Sequence, residues 1–417
     1  HTYGAGTNLE GGTLDVDGRL ETPALSMADD TTLNVDGTVE DAGSTPATIT
    51  GSAGTNTITV GITGTLRADG DLGDGSDAVT LAGLLSTGAG TLGLGAGDDV
   101  LTLQDGSFIE GGNGGVDAGT GTNDQLILDN ALAMVFDGGQ TAGFETLLKQ
   151  NAGIATMTGS QSFSGGTTIA AGALDIDGAL ETPTIALADN TELLVDGTVN
   201  GGAGTAAVIS GSAGTNTVAV GAGGTLLANG DLGTGNDVLD VAGTLDTGAG
   251  VFALGDGDDT LTIHENTHII GTVSAGAGND TFDTHIDTVA DLGAVQGFET
   301  LSKTGVGVLN INGPLSSDFI AVTVTEGTLN VTAAGSVVPA PGNTLATPVA
   351  NGATLNVDGS YGCGAGNDTM TVAGTVSGTG TIDLCGGDDT LTLQDGVVLA
   401  NTISGGLGTS DTLMLDS

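Results

Sequence analysis

A six-residue unit, Thr32-Leu33-Asn34-Val35-Asp36-Gly37, recurs as Thr13-Leu14-Asp15-Val16-Asp17-Gly18, Ala173-Leu174-Asp175-Ile176-Asp177-Gly178, Glu192-Leu193-Leu194-Val195-Asp196-Gly197 and Thr354-Leu355-Asn356-Val357-Asp358-Gly359. In each copy apolar residues alternate with polar ones at the period of a half-buried strand, and Asp-Gly supplies a pair suited to a tight turn. A chain made of one short strand and one turn, repeated, has two ways to bury its apolar side. It closes into barrels or sandwiches, or it stacks coil upon coil.

Larger copies decide between the two. Residues 11–90 return 160 residues later at 171–250, so that Glu21-Thr22-Pro23 matches Glu181-Thr182-Pro183, and Gly51 to Thr57 matches Gly211 to Thr217. A third copy opens near Gly327, and its Leu391 to Gly396 reproduces Leu101 to Gly106. The copies, about 11–170, 171–325 and a truncated 326–417, run into one another without linkers. Small length differences between them would wreck a closed barrel but only lengthen one corner of a solenoid. The expectation is an all-β parallel β-helix forming one unit over 1–417, with roughly 20 coils of about 20 residues and a rod near 100 Å long. Leu14, Val16, Leu33, Val35, Leu174, Ile176, Leu193, Val195, Leu355 and Val357 should point inward, and the Asp, Asn and Thr between them outward. No window carries a sustained helical period.

Composition fits a thin aliphatic core, with 38% apolar residues but no Trp, 8 Phe and 2 Tyr. Four basic residues against 51 acidic ones give a net charge of −47. Such a surface repels nucleic acid and anionic lipid and accepts cationic partners and divalent ions. No apolar run reaches the ~18 residues of a membrane span, so no membrane insertion of this segment is expected. The chain opens at His1 inside a repeat and without a leader-type segment, and it reads as a piece of something longer.

Gly143-Phe144-Glu145-Thr146-Leu147-Leu148-Lys149, followed by Gly153-Ile154-Ala155-Thr156-Met157-Thr158-Gly159 and Gly165-Gly166-Thr167-Thr168-Ile169, resembles the strand repeats of Gram-negative autotransporter (type V secreted) passenger domains. Gly297-Phe298-Glu299-Thr300-Leu301-Ser302-Lys303-Thr304-Gly305, continuing to Asn312-Gly313, is similar to them too. The resemblance implies a right-handed β-helix exported through a C-terminal membrane barrel, which this sequence lacks. It also implies display on the outer-membrane exterior, frequently as an adhesin or self-associating protein in cell aggregation and biofilm. The expected partners are another copy, host matrix or a cell-surface receptor. A passive stalk is the alternative, and a polysaccharide-processing enzyme a more distant one.

Candidate chemistry is sparse. His264-Glu265-Asn266-Thr267-His268 has the spacing of a zinc-protease motif, but that chemistry needs a helix to bring both imidazoles onto one face. Here the motif follows an apolar strand, so a strand and turn with two surface histidines is expected. Among the basic residues, Lys149 and Lys303 occupy matching positions in two copies, which points to a structural role, and Arg19 and Arg67 offer no lyase-like context. Aromatic residues are too few for a sugar cleft. No enzyme activity is expected.

The acidic corners are more numerous: Asp98-Asp99, Asp258-Asp259, Asn279-Asp280, Asn367-Asp368 and Asp388-Asp389, each after a glycine and before a short strand. Each resembles one unit of the calcium-binding nonapeptide of repeat toxins, although here the units are isolated in sequence rather than in tandem. Calcium at Asp98, Asp99, Asp258, Asp259, Asp280, Asp368, Asp388 and Asp389 is the weak alternative to an expectation of no cofactor, since corner aspartates also cap turns. Cys363 and Cys385 lie about one coil apart, within disulfide reach, which favours a disulfide over two buried thiols. Alignment puts Cys385 at the inward position of Leu94.

Overall fold

A computed structural model describes residues 1–111, 115–292, 294–317, 319–339 and 342–416, the side chains of Ser316, Ser317 and Cys363 excepted. The chain is a β-solenoid of about 19 turns built from parallel strands. Its one helical element among the described residues is a single 3₁₀ turn, Gly138–Gln140. By packing the chain divides into two compact units. One comprises His1–Ala186, Thr191–Leu193 and Gly197–Ala203; the other comprises Leu187–Asn190, Leu194–Asp196 and Gly204–Ser417.

In the first unit one sheet stacks Thr13–Val16, Thr32–Val35, Thr57–Val60, Ala78–Leu81, Val100–Gln104, Gln125–Asp129 and Thr146–Gln150, all parallel. Register aligns like with like: Leu33, Ile58, Val79, Leu101, Leu126 and Leu147 form a buried apolar column. Each such side chain removed from water is worth about 1.5–3 kcal/mol, and the ladder of backbone hydrogen bonds satisfies every coil except at its edges. Of the residues expected inward, Leu14 alone is only half-buried, because its strand is the outermost of this sheet. Two further strand columns complete each coil, one running through Ala24–Met27, Ala47–Ser52, Leu92–Gly95 and Val116–Gly119, the other through Arg19–Glu21, Thr38–Glu40, Leu84–Gly88 and Phe108–Gly111.

The second unit stacks Thr217–Val220, Val238–Val241, Thr260–Ile263, Thr281–His285, Thr300–Thr304 and Ala321–Val324, and then continues to Thr412–Asp416. Another of its columns carries Val289–Leu292, Val308–Ile311, Thr328–Val331 and Thr354–Val357. Buried Phe282 and Phe298 lie with ring centroids 5.8 Å apart.

The 160-residue repeat is not a whole number of coils. Ala173–Ile176, the counterpart of Thr13–Val16, stacks on Ile154–Thr158, one face further round the coil than the sheet of Thr146–Gln150. A recurring sequence unit therefore does not mark a recurring face.

Both lysines sit where a core aliphatic residue would. Lys149 pairs with Leu128 and Ile169, and Lys303 with Thr284 and Val324. Each is fully buried. The Lys149 Nζ donates to the carbonyls of Gln150, Asn151 and Ala171 at 2.7–3.1 Å. That of Lys303 donates to Thr304 and Gly305 at 2.6 and 2.7 Å, with longer contacts to Ile286 and Glu326. The stem fills the core and the ammonium fastens a corner, the structural role their repetition suggests.

Candidate functional site

Three runs of coils turn into their strands through glycine-rich corners, and the residue just before the strand is Asn, Asp or Glu at 56, 77, 99, 124 and 145, at 216, 237, 259, 280 and 299, and at 368, 389 and 411. Gly95 has φ +117°, and a Cβ there would fall 1.6 Å from the Gly73 carbonyl of the neighbouring coil; Gly255, its counterpart, has φ +120° and the same conflict with Gly233. At Gly95 and Gly255 a side chain could enter only by displacing the neighbouring backbone. Cys385 sits in this same column, opposite Gly364, with φ +66°. It is half-buried and not inward as expected; Leu384 takes the inward position, so Cys385 matches Gly95 rather than Leu94. Cys385 is disulfide-bonded, while the side chain of Cys363, its expected partner, lies outside the described residues.

In each of these runs the residue before the strand builds a ladder along the stack. In the first unit Asp99 Oδ1 accepts the Asp77 N–H at 2.7 Å, and Asp124 Oδ1 accepts the Asp99 N–H at 2.7 Å. Asn56 begins the series by donating to Asp77, and Glu145 ends it by accepting the Asp124 N–H at 2.8 Å. The second unit repeats the arrangement through Asn216, Asp237, Asp259, Asp280 and Glu299. It does so again where Leu345 donates to Asp368, Asp368 to Asp389 and Asp389 to Asp411, at 2.7, 2.7 and 3.1 Å. Isolated in sequence, the acidic corners are adjacent in space.

The two carboxylates of an Asp-Asp corner do different work. Asp98, Asp258 and Asp388 are exposed. Asp258 Oδ1 accepts the Asn279 N–H at 3.0 Å, and Asp388 Oδ1 accepts the Thr409 N–H at 3.2 Å and hydroxyl at 2.9 Å. The hydroxyl of Thr409 holds the Asp388 carboxyl below its usual range. Asp99, Asp259, Asp280, Asp368 and Asp389 are buried. In each, Oδ1 is spent on the ladder while Oδ2 is buried with no hydrogen-bond partner, as it is in Asp77, Asp124 and Asp237. Burial, reinforced by the like charge of neighbouring rungs, pushes Asp77 up to about 7 and Asp99, Asp259 and Asp280 up to about 6. Beside the first column lies a glycine-floored trough of about 470 Å³ whose lining includes Asp71, Asp74 and Asp117.

Asp77, Asp124, Asp237, Asp411, Glu145 and Glu299 were not legible as corner carboxylates from Asp-Asp pairs. Their signal is position: each immediately precedes an alternating strand.

The His264 to His268 motif runs from the end of Thr260–Ile263 through a turn into His268–Ala277. His264 Nε2 lies 2.7 Å from Asp240 Oδ1, and His268 is exposed. The helical face that a zinc-protease motif requires is not formed.

No family model, curated protein or solved structure matches the chain.

Proposed function

We propose that this segment is an adhesive or self-associating part of a surface-displayed, autotransporter-type passenger on a Gram-negative bacterium, contacting other cells, matrix or further copies of itself. The observation that carries the reading is the set of polar ladders that outward side chains form at coil spacing. Asn34 Nδ2 donates to Asp15 Oδ1 at 2.6 Å. On a sheet of the second unit, Asn310, Asn330, Asn356 and Ser377 link at 2.7–2.8 Å. Such rows offer many weak, equally spaced contacts, the arrangement in which avidity exceeds any single affinity.

A net charge of −47 opposes contact between copies, so association should strengthen with ionic strength or divalent cations. Sedimentation velocity across salt, with calcium and with chelator, tests this, together with settling of cells that display the segment. Association that grows with salt or calcium supports the reading. A monomer under every condition, on cells that do not settle, replaces it with the stalk.

A further inference from the structure

We propose that an opening in the strand ladder of the first unit, between Phe108–Gly111 and Met134–Asp137, is a docking cleft for an extended peptide segment that carries apolar side chains at alternate positions and basic residues at its ends. The segment adds itself as a strand between two coils.

The two coils that meet here are joined on their other columns. Val100–Gln104 pairs with Gln125–Asp129, and Val116–Gly119 with Thr141–Ala142. The neighbouring turns are tied as well, since the Asp105 carboxylate accepts the N–H groups of Ala131 and Leu132 at 3.1 and 3.0 Å. On the remaining face the ladder breaks. Phe108–Gly111 pairs back with Leu84–Gly88, Met134–Asp137 pairs onward with Ile154–Thr158, and among the described residues no strand pairing joins the two. Phe108 N–H donates to Gly83 O of the preceding coil at 3.0 Å. Successive residues of a parallel strand turn their amide groups to opposite sides, so those of Ile109 face the opening. A strand edge left in this way is a template for a further strand.

Between the edges lies a cleft of about 260 Å³ lined by Leu103, Phe108, Ile109, Met134, Val135 and Phe136. Leu103 and Phe136 are buried, whereas Phe108 and Val135 are 63% and 71% exposed. A cluster of large apolar side chains this open to water marks a contact surface. Gln140, also in the lining, buries an Oε1 that no described group meets, an acceptor that a peptide N–H can satisfy. Charge selects among peptides. Glu110 and Asp137, one on each edge strand, are exposed, and the chain carries a net charge of −47. A basic flank is drawn in, while a strand from a second copy is repelled.

The matching joint of the second copy is closed. Counted back from the matched Gly143-Phe144-Glu145 and Gly297-Phe298-Glu299, Met134 and Phe136 correspond to Thr288 and Ala290, and Phe108 corresponds to His268. There Asn266 N–H reaches Val289 O at 3.3 Å, and His268 pairs with Asp291. Larger apolar side chains and an open ladder thus occur together in the first of these two copies.

The test uses the full chain and a dye-labelled, end-capped peptide, Lys-Val-Thr-Val-Thr-Val-Lys, with a control whose central Val is replaced by Pro, which cannot donate to a ladder. Fluorescence anisotropy should show saturable binding of one peptide per chain, at least about tenfold weaker for the proline control. Bound peptide should slow hydrogen exchange in Phe108–Gly111 and Met134–Asp137. Phe108→His, which installs the residue of the second copy, and Val135→Lys alter exposed side chains, so both variants should melt as the parent does, yet each should bind the peptide at least about tenfold more weakly. Val208→Lys, exposed elsewhere, should not. Added salt should weaken peptide binding, the opposite of its expected effect on association between copies, so the two readings fail separately. No saturable binding, equal binding of the proline control, protection confined to other strands, or variants that bind as the parent does would each overturn the proposal. So would uptake of N-phenylnaphthylamine that Phe108→His abolishes and excess peptide leaves undisturbed, the behaviour of a cleft for small apolar molecules.

Discussion

Both large copies keep the corner ladder, but the second discards the ion pairs that the first carries on another face. Asn56, Asp77, Asp99, Asp124 and Glu145 are matched type for type by Asn216, Asp237, Asp259, Asp280 and Glu299. On another face of the first copy Arg19 Nε lies 2.6 Å from Glu40 Oε1, Arg67 Nε 3.5 Å from Glu40 Oε2 and Arg67 Nη1 3.9 Å from Glu110 Oε2. At the matching positions the second copy has Ala179, Asn200, Leu227 and Ile270. The difference separates what the matching coils of both copies share from what one face of the first merely uses. A corner must give a partner to a backbone N–H wherever the coil turns into its strand, whereas outward side chains on a strand only need to be compatible with their neighbours across it.

The strongest way to sharpen this contrast is pH in the presence of chelator. The column aspartates have raised values in the folded chain, first through burial, so the fold favours their protonated forms. The sign follows: their contribution is complete below about pH 4, the range of an unfolded aspartate, and is lost as pH rises through 6 and 7. Melting should drop by about 10 °C across that window, in both copies together. A flat profile would mean that the columns bear no such burden. Next, Gly95→Ala and Gly255→Ala should each cost on the order of 4 kcal/mol, read by denaturant unfolding, since a Cβ meets a neighbouring carbonyl at a left-handed φ. Equal losses in the two copies are expected.

Lys303→Met keeps the buried stem and removes the ammonium from its carbonyls, at a cost of about 3 kcal/mol. Hydrogen exchange should localise the opening to the corner around Gly305. The smallest effect belongs to the part that the copies do not share. Arg19→Ala leaves the buried Glu40 with Arg67 alone and should show only as faster exchange confined to Arg19–Glu21 and Thr38–Glu40.

Much of the architecture was legible because Thr-Leu-x-Val-Asp-Gly states a strand period and a turn in six residues, and nothing else in the chain contradicts it. Core positions such as Leu33, Val35 and Ile176 followed from alternation alone. The place of Cys385 was legible too, since the match of Leu391–Gly396 to Leu101–Gly106, carried back without a gap, sets it at Gly95 and not at Leu94. What alternation cannot foresee is that Asp99 and Asp98 part company, one buried and one exposed. That depends on which residue meets the coil next to it. That information lies about 21–25 residues away, in pairs such as Asp77 with Asp99 and Asp99 with Asp124.

The mismatch between the 160-residue repeat and the coil has a consequence for recognition. Within the first unit, the strand Thr13–Val16 and its near-copy Ala173–Ile176 look out in different directions. A partner that reads this strand cannot engage both by lying flat along one side. It must wrap, or several partners must approach from different bearings.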